Sequence, residues 1–240
     1  MISFLLKKGA IPFTEKEDRF AKEMLRIFRD HCQREGAFLH QVQIDRFQLL
    51  WSPYMASHQE GMFGGIMGCW DPGTRWKVFL IPLQNTGTGE YPADWAIGDN
   101  QAINSGSYLL MDAIATTMIH EIYHAWQFSV NPVLWIINRS VTLFLEYIPF
   151  LKKLTLEDDV DKHISDNEEV NEFFSDLTSA WDTLLFLKRC EKSLQRNKSE
   201  NQDEETISDK EQQVEYARGE FLKHPEWRRK AVISLFTIMA

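Results

Sequence analysis

Residues 108–129 read YLLMDAIATTMIHEIYHAWQFS, and the rest of the expected fold is built around this stretch. Ser105 or Ser107 precedes it and can cap the start of a helix, whereas Asn131-Pro132 follows it and ends one. The sequence therefore predicts one long helix over about residues 108–129.

The predicted helix carries the pentapeptide HEIYH at residues 120–124. His120 and His124 are four residues apart, so their imidazoles lie on the same helix face and can hold one metal ion. Zinc lowers the pKa of a water bound to it towards neutrality. The Glu121 carboxylate can reach such a water and take its proton. This HExxH pattern predicts two zinc ligands and a catalytic base, whereas the alternative is two histidines merely packed or solvated on a helix face.

A catalytic zinc site needs a third protein ligand, and residues 171–176, NEFFSD, offer one. They fall in a second helix predicted from about Glu168 to about Glu191. Glu172 and Asp176 share a face of that helix, so Glu172 can bind the metal while Asp176 accepts a hydrogen bond from a ligand histidine. The competing third ligands are Glu169, Glu168 and His163.

HEIYH and NEFFSD together resemble the motifs of the gluzincin group of zincin metallopeptidases. The second motif is similar to that group's N-E-x-x-(S/A)-D glutamate helix. The resemblance covers roughly residues 14–190, although the apolar segment 133–151 has no counterpart and Glu172 follows His124 at a longer distance than in compact members. It implies an α+β, zincin-like fold with a small, mostly antiparallel sheet, an active-site helix, a glutamate helix and extra C-terminal helices.

The resemblance also implies a role for each matching residue. Zn²⁺ would be the cofactor, held by His120, His124 and Glu172, with Asp176 orienting a ligand histidine. Glu121 would act as general base and then as general acid. Two further sets are implied: an edge strand that pairs with an extended peptide (Lys77, Val78, Phe79 and Leu80) and an oxyanion-stabilising side chain (His163 or Tyr147).

The N-terminal part of the chain predicts a helix followed by a β-rich region. Residues 14–34 form an amphipathic pattern in which Thr14 caps the helix and Glu17 completes a capping box. Residues 41–51 alternate like a strand, and residues 62–83 predict a hairpin around a turn at 71–74. Pro82 predicts that the second strand of this hairpin lies at a sheet edge. The apolar face of the helix consists of Phe20, Met24, Ile27 and Phe28.

The charge pattern divides the chain into three parts. We expect a zincin-like metallopeptidase domain over residues 1–195, an acidic flexible linker over 196–211 and a C-terminal helical segment over 212–240. The last segment is expected to break near His224-Pro225. The net charge of −9 disfavours nucleic acid as a partner, because phosphate binding needs a basic surface.

Cysteine usage and the N-terminus predict a cytoplasmic protein. The three cysteines are widely spaced and form no CxxC pair, which indicates reduced thiols. The N-terminal apolar run is too short for a signal peptide, and its lysines follow that run. Residues 133–151 approach transmembrane length but contain Arg139 and Glu146, so we expect a buried helix pair rather than membrane contact.

The leading functional prediction is a zinc metallopeptidase that cleaves a protein or peptide substrate. One alternative is a zinc amidase acting on a non-protein amide, such as one in a cell-wall peptide, because site chemistry is shared while specificity depends on pocket shape. Another is a catalytically inactive zincin-like binding or structural module, which Glu121 disfavours because a structural site needs no base. The last alternative is a membrane-associated protein anchored by residues 133–151.

Overall fold

The computed structural model describes residues 9–51, 65–70, 76–83, 108–133, 136, 167–200 and 202–239. These residues form five helices and a four-stranded sheet, an α+β architecture. The chain divides into two compact units, Met1–Asn171 and Glu172–Ala240. The sheet and the HEIYH helix belong to the first unit.

The first helix, α1, spans Glu15–His31 and begins at the predicted capping box. The N–H of Glu17 donates to the Thr14 hydroxyl oxygen at 3.3 Å, and the N–H of Thr14 donates to the Glu17 carboxylate at 2.7 Å. The predicted helix and its predicted capping box are both confirmed. The predicted apolar face, Phe20, Met24, Ile27 and Phe28, is buried, and Ala21 and Leu25 are buried with it.

The sheet consists of β1 (Ile11–Pro12), β2 (Gln48–Trp51), β3 (Gly65–Cys69) and β4 (Lys77–Leu83), in the order β1-β2-β4-β3. β1 and β2 are antiparallel, β2 and β4 are parallel, and β3 and β4 are antiparallel. Two of the three pairings are thus antiparallel. The predicted pairing of the two hairpin strands is confirmed, whereas the predicted turn at 71–74 lies outside the described residues. The strand expected over 41–51 is confined to β2, because a 3-10 helix at Ile44–Arg46 precedes it.

The prediction that β4 is an edge strand is wrong. β4 lies between two strands: β2 pairs with Lys77–Leu80 and β3 pairs with Phe79–Leu83. Phe79 and Leu80 are therefore paired on both sides, which leaves no room there for a substrate strand. Pro82 is tolerated because β2 ends opposite Leu80, so Pro82 lies beyond that pairing. Among the described strands, β1 and β3 lie at the edges.

The HEIYH helix, α2, spans Tyr108–Val130 and packs against β3 and β4. Its bounds agree with the prediction, since the helix stops one residue before Asn131. The rings of Trp70 and Phe128 lie 5.7 Å apart between their centroids, so the last turns of α2 contact the residue that follows β3. The sheet therefore fixes the position of the predicted metal-binding helix.

Three helices follow: α3 (Glu168–Ser199), α4 (Glu204–Leu222) and α5 (Glu226–Met239). The expected break near His224-Pro225 is confirmed by the end of α4 and the start of α5. Within the second unit, α3 and α5 contact each other through Trp181 and Phe236, whose ring centroids are 6.0 Å apart.

The expected flexible linker over 196–211 is mostly helical, because α3 continues to Ser199 and α4 starts at Glu204. Asp203 caps α4 by accepting the Thr206 N–H at 2.8 Å. Ion pairs supplement this cap at 2.7 Å, Arg196 with Glu200 and Lys198 with Glu211. A polar sequence can be helical when a cap and such pairs support it, which composition alone did not reveal. The division into the two compact units falls between Asn171 and Glu172, and the functional domain expected over 1–195 stays a prediction.

Membrane contact through 133–151 was not favoured, and most of this segment lies outside the described residues. Within the described ranges, the helices are all too short or too polar to cross a membrane. Val133 and Ile136 are described, and both are exposed. Cys32 and Cys190 are free and buried, in line with the expected reduced thiols, and the cytoplasmic location stays a prediction.

Replacing Thr14 with alanine should lower the free energy of unfolding by about 1 kcal/mol, because the Glu17 N–H loses its acceptor. Urea unfolding followed by circular dichroism measures the change. Thr14→Ser keeps the capping oxygen and serves as the control, with a smaller expected loss. Equal losses for the two variants would contradict a capping role for the hydroxyl.

Asp203→Ala should destabilise α4 at neutral pH but not in acid. The backbone N–H of Thr206, followed by its hydroxyl, lowers the pKa of Asp203 below its ordinary value of 3.8. The stabilisation is therefore fully present above the ordinary pKa and is lost as pH falls through the lowered folded-state value.

The measurement is the difference in urea midpoint between Asp203→Ala and wild type from about pH 5 to about pH 2. Asp203→Asn is the control: asparagine caps a helix without titrating, so its difference from wild type should follow the same pH course as that of Asp203→Ala but should be smaller throughout. A difference that is constant across this range would show that the charged cap is not the cause.

Candidate metal centre

The two imidazoles of HEIYH converge. His120 Nε2 and His124 Nε2 are 3.2 Å apart, whereas the ring centroids are 4.8 Å apart. Because the nitrogens are closer together than the rings, each ring turns its Nε2 towards a shared point. The rings meet at 77°, so they present two nitrogens side by side instead of stacking.

This separation fits two ligands of one zinc ion. Nitrogens bound at about 2.0–2.1 Å with a tetrahedral angle lie about 3.3–3.4 Å apart. The observed 3.2 Å is close to that value. A single N–H···N hydrogen bond between neutral imidazoles has a similar length, and a bound metal would replace it.

Helical geometry explains why the side chains of His120 and His124 face away from the core. Met118, Ile119 and Ile122 are fully buried, whereas His120 and His124 are half-buried. The helix therefore buries one face and leaves the imidazoles partly accessible. A metal and a substrate can approach them without disturbing the packing of α2.

Glu121 is buried, with only 6% of its surface exposed. Among the described residues, Glu17 is the other buried charged side chain, and its burial is explained by the capping box of α1. Glu121 has no such capping role, since it lies in the middle of α2. Because burying a carboxylate costs free energy unless its charge is compensated, Glu121 must be held by the groups around it.

Glu172 and Asp176 lie near the start of the second unit, on α3. Glu172 is exposed, whereas its neighbours Phe173 and Phe174 are buried. Asp176 accepts a hydrogen bond from the Nη2 of Arg228. Sequence analysis missed this partner, because Arg228 falls in a short basic cluster that resembles a solvated helix face.

The competing third ligands belong to the first unit. Glu169 accepts the N–H of Glu35 at 3.2 Å and lies 3.8 Å from Arg34 Nε, so its carboxylate has other partners. Glu168 is exposed. In the part of the chain that the structure describes, no three histidine, cysteine, aspartate or glutamate side chains gather as a metal-binding group. His163 and Tyr147 lie outside the described residues.

The predicted substrate strand has little accessible surface. Val78 and Phe79 are fully buried, and Lys77 is half-buried. The side chain of Leu80 lies outside the described part of the strand, but its backbone is paired with β2 and β3. The role predicted for these four residues in holding a peptide is therefore withdrawn.

A pocket that sequence analysis did not anticipate lies in the first unit, on the same helix as the histidines. Its volume is about 540 Å³. Gly36 makes a tight turn after α1, since its N–H donates to the Cys32 carbonyl at 2.7 Å and an added Cβ would collide with that oxygen. The aromatic residues within and after HEIYH were the available signal. The lining residues are Arg34, Glu35, Ala37, Phe38, Gln41, Tyr123, Trp126 and Asn167.

Comparisons with known proteins found no match for this chain. No protein-family model matches the chain, and neither the curated proteins nor the solved structures searched gave a match.

Proposed function

We propose that this protein is a zinc-dependent hydrolase, a metallopeptidase with a zincin-like fold of the gluzincin type. The observation that carries the proposal is the convergence of His120 Nε2 and His124 Nε2 at 3.2 Å beside the buried carboxylate of Glu121. Two metal ligands and a base on one helix are what metal-assisted hydrolysis requires.

Each residue on α2 has a distinct task in this mechanism. His120 and His124 would hold the ion through Nε2. A zinc ion held there would supply Lewis-acid chemistry and would lower the pKa of a bound water. Glu121 accepts the proton of the attacking water and then donates it to the leaving amine, so one carboxylate serves as general base and general acid.

We assign the third zinc ligand to Glu172. Its exposed carboxylate is accessible to a metal, whereas the competing Glu169 is already engaged by the Glu35 N–H. The NEFFSD motif supports the same assignment through its resemblance to the gluzincin glutamate helix. Asp176 would keep its predicted role of orienting a ligand histidine only if it does so alongside its hydrogen bond with Arg228.

The sheet supports a revised position for an extended substrate. β3 pairs only with β4 among the described strands, and α2 packs against both. An extended peptide that adds to a sheet uses the free backbone groups of an edge strand. We therefore propose Gly65–Cys69, and not β4, as the strand that a peptide substrate would pair with.

The purified protein should contain about one zinc ion per chain, measured by atomic emission. Glu121→Gln should retain the zinc and reduce hydrolysis of quenched casein or unstructured peptides by about 10²- to 10⁴-fold, because the proton acceptor is lost. His120→Ala should lose the zinc, since it removes one of the two converging nitrogens.

The control is Glu215→Gln, which makes the same chemical change at a side chain that is 70% exposed and paired with Arg218 on α4. Its zinc content and activity should equal those of the wild type. Zinc content near zero in the wild type would refute the metal site. Bound zinc with no hydrolysis of any peptide would instead indicate a zinc amidase acting on another amide or the inactive binding module.

Glu172→Ala should weaken zinc binding by more than the roughly 10- to 100-fold that loss of a supporting partner costs. Zinc affinity is measured by competition with a chromogenic chelator. Because Glu172 is exposed, the variant should keep its free energy of unfolding within about 0.5 kcal/mol of wild type. Glu169→Ala is the comparison, and a larger loss of zinc affinity there would transfer the ligand role to Glu169.

A further inference from the structure

The pocket on α2 has a wall of three aromatic rings. Phe38 and Tyr123 meet edge to face with their centroids 4.9 Å apart, and Tyr123 and Trp126 are 5.3 Å apart. Phe38 and Trp126 complete the group at 6.0 Å. Tyr123 and Trp126 are only half-buried, so a ligand in the pocket can reach them. An aromatic ligand gains more from such rings than from the same apolar area, because it can pack on them edge to face.

The charged groups of the pocket are already engaged with each other. Among the described residues that line it, Arg34 and Glu35 are the charged ones. The Glu35 carboxylate accepts from Arg34 Nε at 2.8 Å and from Asn167 Nδ2 at 3.0 Å. Arg34 Nε also lies 3.8 Å from the carboxylate of Glu169, so its charge faces two acidic side chains. A ligand ion would have to compete for these partners, whereas an uncharged ligand leaves water at a smaller cost.

Gln41 gives the lining a neutral hydrogen-bonding group beside the rings. Its Oε1 accepts from Trp126 Nε1 at 3.0 Å, which leaves the two N–H donors of the amide nitrogen to solvent or to a ligand. A carbonyl oxygen close to an aromatic ring fits this combination. The volume of about 540 Å³ lies within the range of about 300–1,000 Å³ that is usual for ligand pockets, so a ring and an adjoining amide can both enter.

The pocket lies beside the proposed metal ligands. At 3.6 residues per turn, Tyr123 is displaced by about 60° from His120 around the axis of α2. Phe128, whose ring packs at the end of β3, is displaced by about 40° from His124 in the opposite direction. The histidines therefore lie between the pocket and the side of α2 that meets β3. An extended peptide advances about 3.3 Å per residue, so a chain crossing the histidines reaches the pocket within a few residues.

We propose that this pocket is a specificity site for an uncharged aromatic residue of the peptide substrate. The ring packs against Phe38, Tyr123 and Trp126, and the carbonyl of that residue accepts from the amide nitrogen of Gln41. The peptide source of the ligand rests on the proposed peptidase function, whereas recognition of a neutral ring with a neighbouring carbonyl does not require zinc. A free aromatic amide has the same chemistry and is the second source to be tested.

Isothermal titration of the purified full-length protein tests the recognition with defined probes. N-acetyl-phenylalanine methylamide should bind about 3- to 10-fold more tightly than N-acetyl-leucine methylamide and N-acetyl-lysine methylamide, because the rings prefer an aromatic guest. His120→Ala, which is expected to lack zinc, should show the same order of affinities. Equal binding of the leucine derivative would overturn the aromatic specificity. Tighter binding of phenylacetamide than of the phenylalanine derivative would overturn the peptide source.

Substitutions in the lining test where the ring binds. Ala37 lines the pocket and is exposed, so Ala37→Leu should fill the space and weaken binding of the phenylalanine derivative by at least about 10-fold. Gln33→Leu adds the same side chain at an exposed position outside the lining and should leave binding unchanged. Trp126→Leu should weaken binding by about 3- to 10-fold, whereas Trp126→Phe keeps a ring and should change it less.

Gln41→Glu isolates the hydrogen bond, because glutamate keeps an oxygen for Trp126 Nε1 but has no amide donor. It should weaken binding of the phenylalanine derivative by about 3- to 10-fold. Unchanged affinity in both Ala37→Leu and Gln41→Glu would show that the ligand binds elsewhere and would overturn the proposal.

Hydrolysis provides the second measurement. Quenched peptides that differ only in having phenylalanine, leucine or lysine near the scissile bond should differ in kcat/KM, with phenylalanine highest by about 3- to 10-fold. Ala37→Leu should remove this preference while retaining zinc. Hydrolysis without any preference would overturn the specificity site and leave the proposed peptidase standing. Phenylalanine-selective binding in a protein without zinc or hydrolysis would refute the peptidase and leave the aromatic recognition standing.

Discussion

The structure depends on one constraint: a single helix, α2 (Tyr108–Val130), must bury apolar side chains in the core and also bring two histidine side chains together. It buries Met118, Ile119 and Ile122 completely, and at the same time it turns His120 and His124 towards a shared point. The spacing of four residues achieves both, because side chains four apart share a face while adjacent ones diverge. The proposed chemistry follows from a helix that the core already fixes in place.

The same helix connects the proposed metal centre with the aromatic pocket. Tyr123 lies within HEIYH and Trp126 follows it, and both line the pocket. On the opposite wall, the turn at Gly36 after α1 brings Arg34 and Glu35 into place. α2 thus carries both the converging imidazole nitrogens of His120 and His124 and two aromatic side chains of the pocket.

Strand order shows what a single sequence leaves open. The hairpin of β3 and β4 is local, and the turn residues between its strands predicted it. The parallel pairing of β2 with β4 joins segments that are not consecutive in the chain, and it placed β4 in the interior of the sheet. Pro82 suggested an edge, but a proline is compatible with an interior strand once it lies beyond the end of its neighbour.

By itself, the sequence determined the features set by nearby residues: the capping box at Thr14, the bounds of α2 and the four-residue spacing of its histidines. Tertiary structure alone decided which groups meet across long separations. It buried Glu121 and joined Asp176 to Arg228. It also gathered Glu35 with residues from two other parts of the chain. Backbone hydrogen bonds and helical period act over a few residues, whereas burial and charge pairing depend on how distant segments pack.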